Sequence, residues 1–566
     1  MQTPAIEPEG QADWNAIDWR TVNRRVRNLR QRIFKAERMG DRRKVRSLQQ
    51  LMLRSYSNTL QSVRRVTQQN HGKHTPGVDK VVVTTARGRM ALVVHLHQSQ
   101  PWKASPVRRV YVPKQNGKLR PLGIATIADR AMQARVKNAL EPQWEARFEP
   151  RSYGFRPGRS AHDAIEAIFC LATPQGRRKW VVDTDIQGAF DNISHDFLVT
   201  TLAEFPAKHL IKQWLTAGVM ENDTLHATLS GTPQGGPISP LLLNIALHGM
   251  EAALGSRRYR NGILCPTSRA VVRYADDLVA FCATQAEAEQ TIDELKDWLA
   301  LRGLTLSEEK TRIVHISEGF DFLGFNVRLY TMPTARAGTK LFIKPSATSV
   351  KRLRTRLRQE WHALAGVNAR AVIQRLNPII VGWANYFKSG VSAKIFTSLD
   401  HFLTHRAWKY TKRRHPMKRA AWRFTKYFGQ RNPRRRDRWV FGDTESGKYL
   451  AKFAWTRIER HVLVKGDASP DDASLALYWQ RRRQRTGKES LQPKYHWLAW
   501  KQGYCCPVCG DTLDNGERLE RHHIILDKSD PARDAPQNMR LVHQVCHEQL
   551  HSGHRPTVSG ALIRAA

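Results

Sequence analysis

The sequence predicts an α+β chain of several domains, and three observations carry that reading. Short apolar runs of strand type sit irregularly among helical segments over residues 1–330, without the steady alternation of a parallel sheet. From about Ser346 to Phe428 the pattern turns helical. The last 62 residues then gather four of the seven cysteines beside a group of histidines. At about 150 residues per domain, 566 residues suggest roughly three or four domains.

Composition bounds the partners. Lys and Arg total 92 against 50 Asp and Glu, a formal net charge of +42, while the charged fraction of 25% is ordinary. Such a chain compacts against its own repulsion unless a polyanion neutralises it. Nucleic acid is the first candidate and an anionic membrane surface the competitor. Hydrophobic residues make up 41%, with 16 Trp, which is too much for a disordered chain. No apolar run reaches the ~18 residues of a membrane span. Met1 to Gly10 carries Glu7 and Glu9 and no apolar stretch, so no secretory signal is expected. An odd, clustered set of cysteines favours a metal site in a reducing compartment over a disulfide framework.

The elements follow in order. Residues 1–15 read as a loose tail. From Asp18 to about Leu53, Val22, Val26, Leu29 and Ile33 form one apolar helical stripe, and twelve Lys or Arg between Arg20 and Arg46 favour phosphate contact. Residues 108–124 read as a hairpin around Asn116-Gly117. A strand is expected at Trp180–Ile186, a hairpin at Ala270–Cys282, and further strands at Thr311–Ile316 and Phe322–Leu329. Between Trp408 and Phe441, thirteen Lys or Arg face one acid, Asp437, with eight aromatics interleaved. Cations for phosphates and aromatics for base stacking make a nucleic-acid surface, with about half of those rings expected in a core. A second basic run, Arg481–Arg485, precedes the Cys/His-rich end.

Two groups of residues carry chemistry. The apolar strand at 181–186 ends in acids, and alternation puts Asp183 and Asp185 on one face. Asp276 and Asp277 occupy the turn of the 270–282 hairpin. A lone Asp-Asp is an ordinary turn pair, but flanking strands and the partner strand at Asp185 favour a metal-binding reading. Two divalent ions held by shared carboxylates activate an attacking hydroxyl and stabilise the leaving oxygen of an in-line phosphoryl displacement. At the other end, Cys506-Pro507-Val508-Cys509 and His543-Gln544-Val545-Cys546 supply two equally spaced pairs, which fit a closed tetrahedral Zn²⁺ site with Cys505 to spare. His522, His523, Asn538, His547 and His551 lie between and after them, the last two histidines sharing a helix face.

Tyr274-Ala275-Asp276-Asp277 resembles the YxDD box of reverse transcriptases. The whole series resembles group II intron-encoded proteins: Thr75–Asp79, Val112-Pro113-Lys114 through Arg120–Ile124, Ser152–Ser160, the Asp185 segment, Gly231–Pro240, Leu306–Lys310, Phe322–Phe325 and Pro378–Phe387. The resemblance implies a right-hand polymerase with a helical thumb and a C-terminal zinc-containing ββα-metal (HNH) module. Its divisions would be a basic extension at 1–60, fingers and palm at 61–335, thumb or maturase domain at 336–428, a DNA-binding region at 429–497, and an HNH endonuclease at 498–566. It further implies that Asp185, Asp276 and Asp277 hold two Mg²⁺, with the Ile186 carbonyl as an additional contact. Lys114 and Arg120 would meet the incoming triphosphate. Phe190 would crowd the sugar 2′ position, Gln234 would line the nucleotide site, and Lys310 would protonate pyrophosphate. Asp183 and Asp191 read as structural. In the HNH module His523 would be the general base, with His522, His547 and His551 on one Mg²⁺ or Mn²⁺ and Asn538 orienting the base or fixing the loop. Ser529-Asp530-Pro531 stands where that module leads one to expect a Gly-Gly turn. The implied partners are group II intron RNA, target DNA and dNTPs, with no membrane, in the bacterial cytoplasm at the nucleoid; the oligomeric state is left open. The implied function is a reverse transcriptase and maturase with target nicking for intron mobility. The rivals are a splicing-only maturase and a retron-like reverse transcriptase.

Overall fold

The structure, a computed structural model, describes residues 13–98, 101–113, 117, 119–259, 262–525, 527 and 529–552. The chain begins with four helices, α1 (Trp19–Arg38), α2 (Arg42–Arg54), α3 (Tyr56–Arg64) and α4 (Ala86–Gln98). Asp18 caps α1 by accepting from Thr21 N at 3.0 Å, and Asp41 caps α2 from Lys44 N at 3.0 Å. The helical stretch expected over 18–53 is therefore two helices. Gly40 (φ +73°) turns the chain between them, and Asp41 starts the second. Val22, Val26 and Ile33 of the expected stripe are buried. The loose-tail reading fails at Trp14, which is 1% exposed and packs edge-on against Trp19 at 4.9 Å.

The fingers-type hairpin forms as expected from β1 (Val107–Pro113) and β2 (Leu119–Ile124), with Val112 opposite Arg120. Helix α5 (Ile127–Glu145) is buried almost all round and packs against α1, α2 and α3. Then come α6 (Ala161–Leu171), β3 (Trp180–Asp185), α7 (Ala189–Asn192), α8 (His195–Thr201) and α9 (Lys208–Thr216). Two three-residue strands, β4 (Val219–Glu221) and β5 (Thr224–His226), extend the first sheet to the order β2-β1-β4-β5. They are too short to show a periodicity in sequence.

After α10 (Ser239–Ala246) and α11 (Met250–Ala253) come β6 (Ala270–Tyr274), β7 (Asp277–Cys282), α12 (Gln285–Ala300) and β8 (Arg312–His315). The central sheet runs β6-β7-β3-β8, antiparallel throughout. Alternation divides two cores. Val182, Val271, Leu278 and Ala280 face one core with Leu295 and Leu299 of α12. Val181, Val272, Val279 and Phe281 face the other with Ile165 and Ile168 of α6. The strand expected over Phe322–Leu329 is instead two, β9 (Phe320–Phe322) and β10 (Phe325–Thr331), closed by Leu323 (φ +48°) and Gly324 (φ +81°) and joined by β11 (Thr339–Pro345).

Four helices follow, α13 (Ala347–Ala363), α14 (Ala369–Phe387), α15 (Ala393–Arg414) and α16 (Ala420–Tyr427), and then the paired β12 (Phe428–Gly429) and β13 (Val440–Phe441). Tyr410, Tyr427, Phe428 and Phe441 are buried together, while Trp422 and Trp439 stay exposed, so the aromatic segment divides as its composition suggests. The C-terminal region holds α17 (Ala476–Ser490), α18 (His496–Lys501), β14 (Leu519–His523), β15 (Met539–His543) and α19 (Gln544–His551), with β14 and β15 antiparallel. Among the described residues no helix is long and apolar enough to cross a membrane.

Asp163, fully buried on α6, ties residues 461–482 to the central body. It accepts from Val464 N at 2.9 Å and Arg482 Nη2 at 2.7 Å, and pairs with His461 Nε2 at 3.0 Å. Arg482 of the basic run is thus engaged internally. Burial works to raise the Asp163 pKa, but the His461 bond and the Arg482 charge hold it down to about 2. A depressed carboxylate stabilises the fold above its unfolded value and loses that contribution as pH falls through the folded one. Asp163→Asn should therefore cost about 3 kcal/mol at neutral pH. In urea unfolding curves, the gap between wild type and variant should close as pH falls from 4 towards 2.

Candidate active site and metal centres

The carboxylates meet where two strands of the central sheet end. Asp185 closes β3 and lies directly opposite Asp277, which opens β7. Ile186 N donates to Asp276 O at 3.3 Å, so all three acids share one edge. The intervening turn is tight, with Ala275 at φ +59°. Arg273, buried in β6, supports it by donating to Ala275 O and Asn244 Oδ1 at 3.0 Å each and to Ser152 Oγ at 2.6 Å. Asn244 Nδ2 donates to Gly154 O at 2.9 Å, and a Cβ on Gly154 would stand 2.3 Å from Ala275 N. Sequence reasoning missed Arg273 and Asn244; the signal for Arg273 is a charge in the middle of an apolar strand.

The acids repel. Burial, and then the Asp185 charge, raises the Asp276 pKa. Asp277 is pushed up to about 7 by the protein crowded around it and then by Asp276 and Asp185. Its place at the exposed head of β7 lets solvent screen part of that repulsion. Lys310 Nζ bonds Asp185 Oδ2, and that bond raises the lysine pKa. Asp183 is ion-paired with Arg312 at 3.0 Å, consistent with a structural part. A cleft of about 280 Å³ opens beside Asp185, Asp277 and Lys310. Adjacent acids driven towards protonation, with oxygen donors open to solvent, are a donor set suited to hard divalent cations.

The segment 231–236 brings Phe190, Gln234 and β2 together. Thr232 N donates to Phe190 O at 2.6 Å and Gly231 N to Ile193 O at 2.8 Å. Gln234 accepts from Gly123 N of β2 at 2.8 Å through its carbonyl and donates from Nε2 to Asp191 Oδ2 at 3.3 Å. Phe190 stands edge-on to Phe155 at 6.1 Å. Arg120 is exposed on β2, and its charge works to lower the Asp276 pKa. Ile186 is buried and bridges to Leu306. Lys114 and Asn116 lie outside the described residues.

The expected zinc ligands converge. Cys506, Cys509, His543 and Cys546 are all buried, with their ligand atoms within 4.8 Å of one another. His543 Nδ1 lies 3.4 Å from Cys509 Sγ and 3.9 Å from Cys546 Sγ, while its Nε2 meets Thr512 O at 3.0 Å. That outer contact aims Nδ1 inward, and the spacing fits a four-coordinate ion with bonds of about 2.0–2.3 Å. Cys505 stands outside the set.

His522, His547 and His551 form a second cluster. Glu520 Oε2 meets His547 Nδ1 at 2.7 Å and so turns Nε2 towards His551 Nε2, 3.1 Å away. His522 Nδ1 is buried without a hydrogen-bond partner among the described residues. Burial, then His547 and His551, pushes His522 down to about 4. A neutral His522 imidazole grouped with His547 and His551 fits a divalent ion. His523, on the opposite face of β14, pairs through Nε2 with Asp534 Oδ1 at 2.9 Å. Asn538 touches the loop instead: its carbonyl accepts from Ile524 N and its Nδ2 donates to Ala532 O, each at 2.7 Å. Among the described residues both of these Asn538 contacts are to the loop. Asp534, on a loop without periodicity, gave no signal in sequence. Asp527 and Asp530 cap local turns to Ser529 N and Ala532 N in place of a Gly-Gly turn.

A sheet-end carboxylate trio beside a fingers-type hairpin, together with a C-terminal ββα module carrying two candidate metal clusters, defines a polymerase joined to a metal-dependent nuclease. Comparison with known proteins agrees. Residues 112–327 match the profile of reverse transcriptase (RNA-dependent DNA polymerase) and 14–96 that of the N-terminal domain of reverse transcriptase. Residues 350–428 match the group II intron maturase-specific domain, and 506–553 match HNH endonuclease. Protein YkfC of Escherichia coli K12 is 36% identical over 296 residues, 46% of this chain and 77% of YkfC. The group II intron-encoded protein LtrA of Lactococcus lactis is 32% identical over 333 residues, 48% of this chain and about half, 55%, of LtrA. The chain belongs to the group II intron-encoded reverse transcriptases and maturases and carries an HNH endonuclease module.

Gly154→Ala should push the 274–277 turn out of register by the width of a methyl group. Primer extension should fall by about a hundredfold, the scale of a 1 Å misplacement. A melting curve close to wild type would show that the loss is local.

Proposed function

We propose that the protein copies group II intron RNA into DNA, assists splicing of that RNA, and nicks the DNA whose 3′ end primes the copy. The single observation that carries the polymerase reading is the register that sets Asp185 against Asp277 with Asp276 in the adjoining turn. In this reading Asp185, Asp276 and Asp277 hold two Mg²⁺, with the Ile186 carbonyl beside them. When bound, the ions activate the primer hydroxyl and neutralise charge on the departing pyrophosphate. The chain's own residues do the rest. Lys114 and Arg120 bind the triphosphate, as a point charge and a fork. Phe190 blocks the 2′ position, and Gln234 lines the nucleotide site on a segment pinned by Gly123. Lys310, kept charged by Asp185, supplies the proton for pyrophosphate.

In the nuclease module His523 takes the proton of the attacking water, with Asp534 and Asn538 holding it and its loop. His522, His547 and His551 hold Mg²⁺ or Mn²⁺, and Cys506, Cys509, His543 and Cys546 hold a structural Zn²⁺. The working divisions are 1–60 as extension, 61–335 as fingers and palm, 336–428 as helical thumb, 429–497 as DNA-binding region and 498–566 as nuclease. Exposed Trp422, with Lys418 and Lys426 at 5.5 and 5.0 Å from its ring, supports a nucleic-acid surface in the basic segment. These substrates put the protein at the bacterial nucleoid.

Two substitutions separate the activities. Asp276→Asn should abolish DNA synthesis on an RNA template with Mg²⁺ and dNTPs while RNA binding in a filter assay stays near wild type. Loss of binding as well would make the turn structural. His523→Ala should stop DNA nicking and leave primer extension intact; persistent nicking would remove His523 as the base.

A further inference from the structure

The zinc knuckle is not closed by its own module. Arg64, the last residue of α3, is 1% exposed and reaches it from the N-terminal helices. Its Nε and Nη2 donate to Glu517 Oε1 and Oε2 at 3.0 and 3.1 Å. Nη2 also donates to Cys546 Sγ at 3.6 Å, and the guanidinium lies 4.6 Å from the Trp19 ring centroid. One cation is therefore shared between a carboxylate and a metal-ligand sulfur 482 residues away. A buried guanidinium is costly unless fully engaged, so its place beside the knuckle calls for a charge reason. Three thiolates and a neutral imidazole around a divalent ion leave a net charge of −1, and an N–H directed at one sulfur offsets it.

The contact is reinforced on every side of the knuckle. Asn23 Nδ2, itself held by Gln61, donates to Cys509 O at 3.0 Å. Gln69 Nε2 donates to Glu517 Oε1 at 3.0 Å, and Gly516 (φ +90°) approaches so closely that a Cβ would lie 2.5 Å from Gln69 O. Gln549 of α19 donates to Asn15 O and Ile17 O at 2.9 and 3.1 Å. Cys506, Cys509 and Cys546 belong to the same apolar core as Trp14, Trp19 and Val63.

We infer that the N-terminal helices complete the zinc site, with Arg64 as a positioning residue for the Cys546 thiolate, so that metal retention and docking of the nuclease module on the polymerase body are one equilibrium. The inference rests on the proposed Zn²⁺ at Cys506, Cys509, His543 and Cys546. Coupling of this kind is reciprocal: the docked helices tighten the metal, and the metal tightens docking. The nuclease residues on β14 and α19 are thereby carried at a set place on the polymerase.

The test uses the full-length protein, its zinc content, and the rate of zinc transfer to a chromophoric chelator. The variants are Arg64→Lys and the double change Arg64→Gln with Glu517→Gln, which removes the guanidinium together with its carboxylate partner and so takes away the charge facing the knuckle without stranding Glu517. Wild type should hold one zinc per chain and release it slowly. The double variant should release it at least about tenfold faster, the usual scale for an outer partner of a metal ligand. It should also become protease-sensitive between residues 481 and 501 while still extending a primer. Arg64→Lys, which keeps the charge and loses the fork, should fall between. Wild-type release rates and continued protease protection in the double variant would overturn the inference and leave the zinc site standing. A wild type purified without zinc would overturn both. If the double variant misfolds, Asn23→Ala removes the bond to Cys509 O, along with the Gln61 contact that holds Asn23, and leaves Arg64 in place; faster release then supports the coupling, and unchanged release overturns it.

Discussion

Three carboxylates held against their own repulsion are the constraint on which the polymerase half depends. Sheet register forces Asp185 opposite Asp277, and the turn adds Asp276. That edge persists because its support is stiff and buried. Arg273 anchors the turn from inside β6, and Gly154 leaves room for the backbone of Ala275. Lys310 occupies Asp185 from the solvent side. The acids thus form an electrostatic deficit of the kind a divalent cation relieves, on a scaffold too tightly packed to relax away from it.

The positive charge of the chain divides into two populations. Some cations are structural and pair with buried acids, several of them distant in sequence: Arg30 bridges Glu141 and Asp471, Arg156 pairs with Glu145 at full burial, and Arg482 meets Asp163. Others lie exposed on helix surfaces and beside the exposed Trp422, open to a polyanion. Net charge alone points to a polyanionic partner; the buried pairs add directed contacts to an apolar core that already spans the N-terminal helices, the central sheet and the C-terminal module.

The two C-terminal metal sets show how similar ligands serve different ends. The Cys-rich set is fully buried and has four donors, which suits a closed structural ion. The three histidines are partly exposed and leave open positions, which suits an ion that must meet a phosphodiester. Glu520 fixes the ring of His547, and Asp534 pairs with His523 on the opposite strand face.

Much of this was legible in the chain itself. Alternation and turn chemistry identified both hairpins, the strand ending at Asp185 and the helical region after Ser346. The paired Cys and His spacings named all four buried ligands, because such motifs are local and their geometry follows from the period of the element that bears them. What had no local period stayed hidden. The break at Gly40, the split at Leu323-Gly324, the burial of Trp14, and the parts played by Arg273, Asn244 and Asp534 depend on partners distant in sequence. The same is true of Arg64, whose neighbours Glu517 and Cys546 are brought to it only by packing. Sequence by itself singled out the residues proposed to carry the chemistry. Tertiary structure decided which buried charges hold them in position, because a charge is tolerated in a core only where folding delivers its partner.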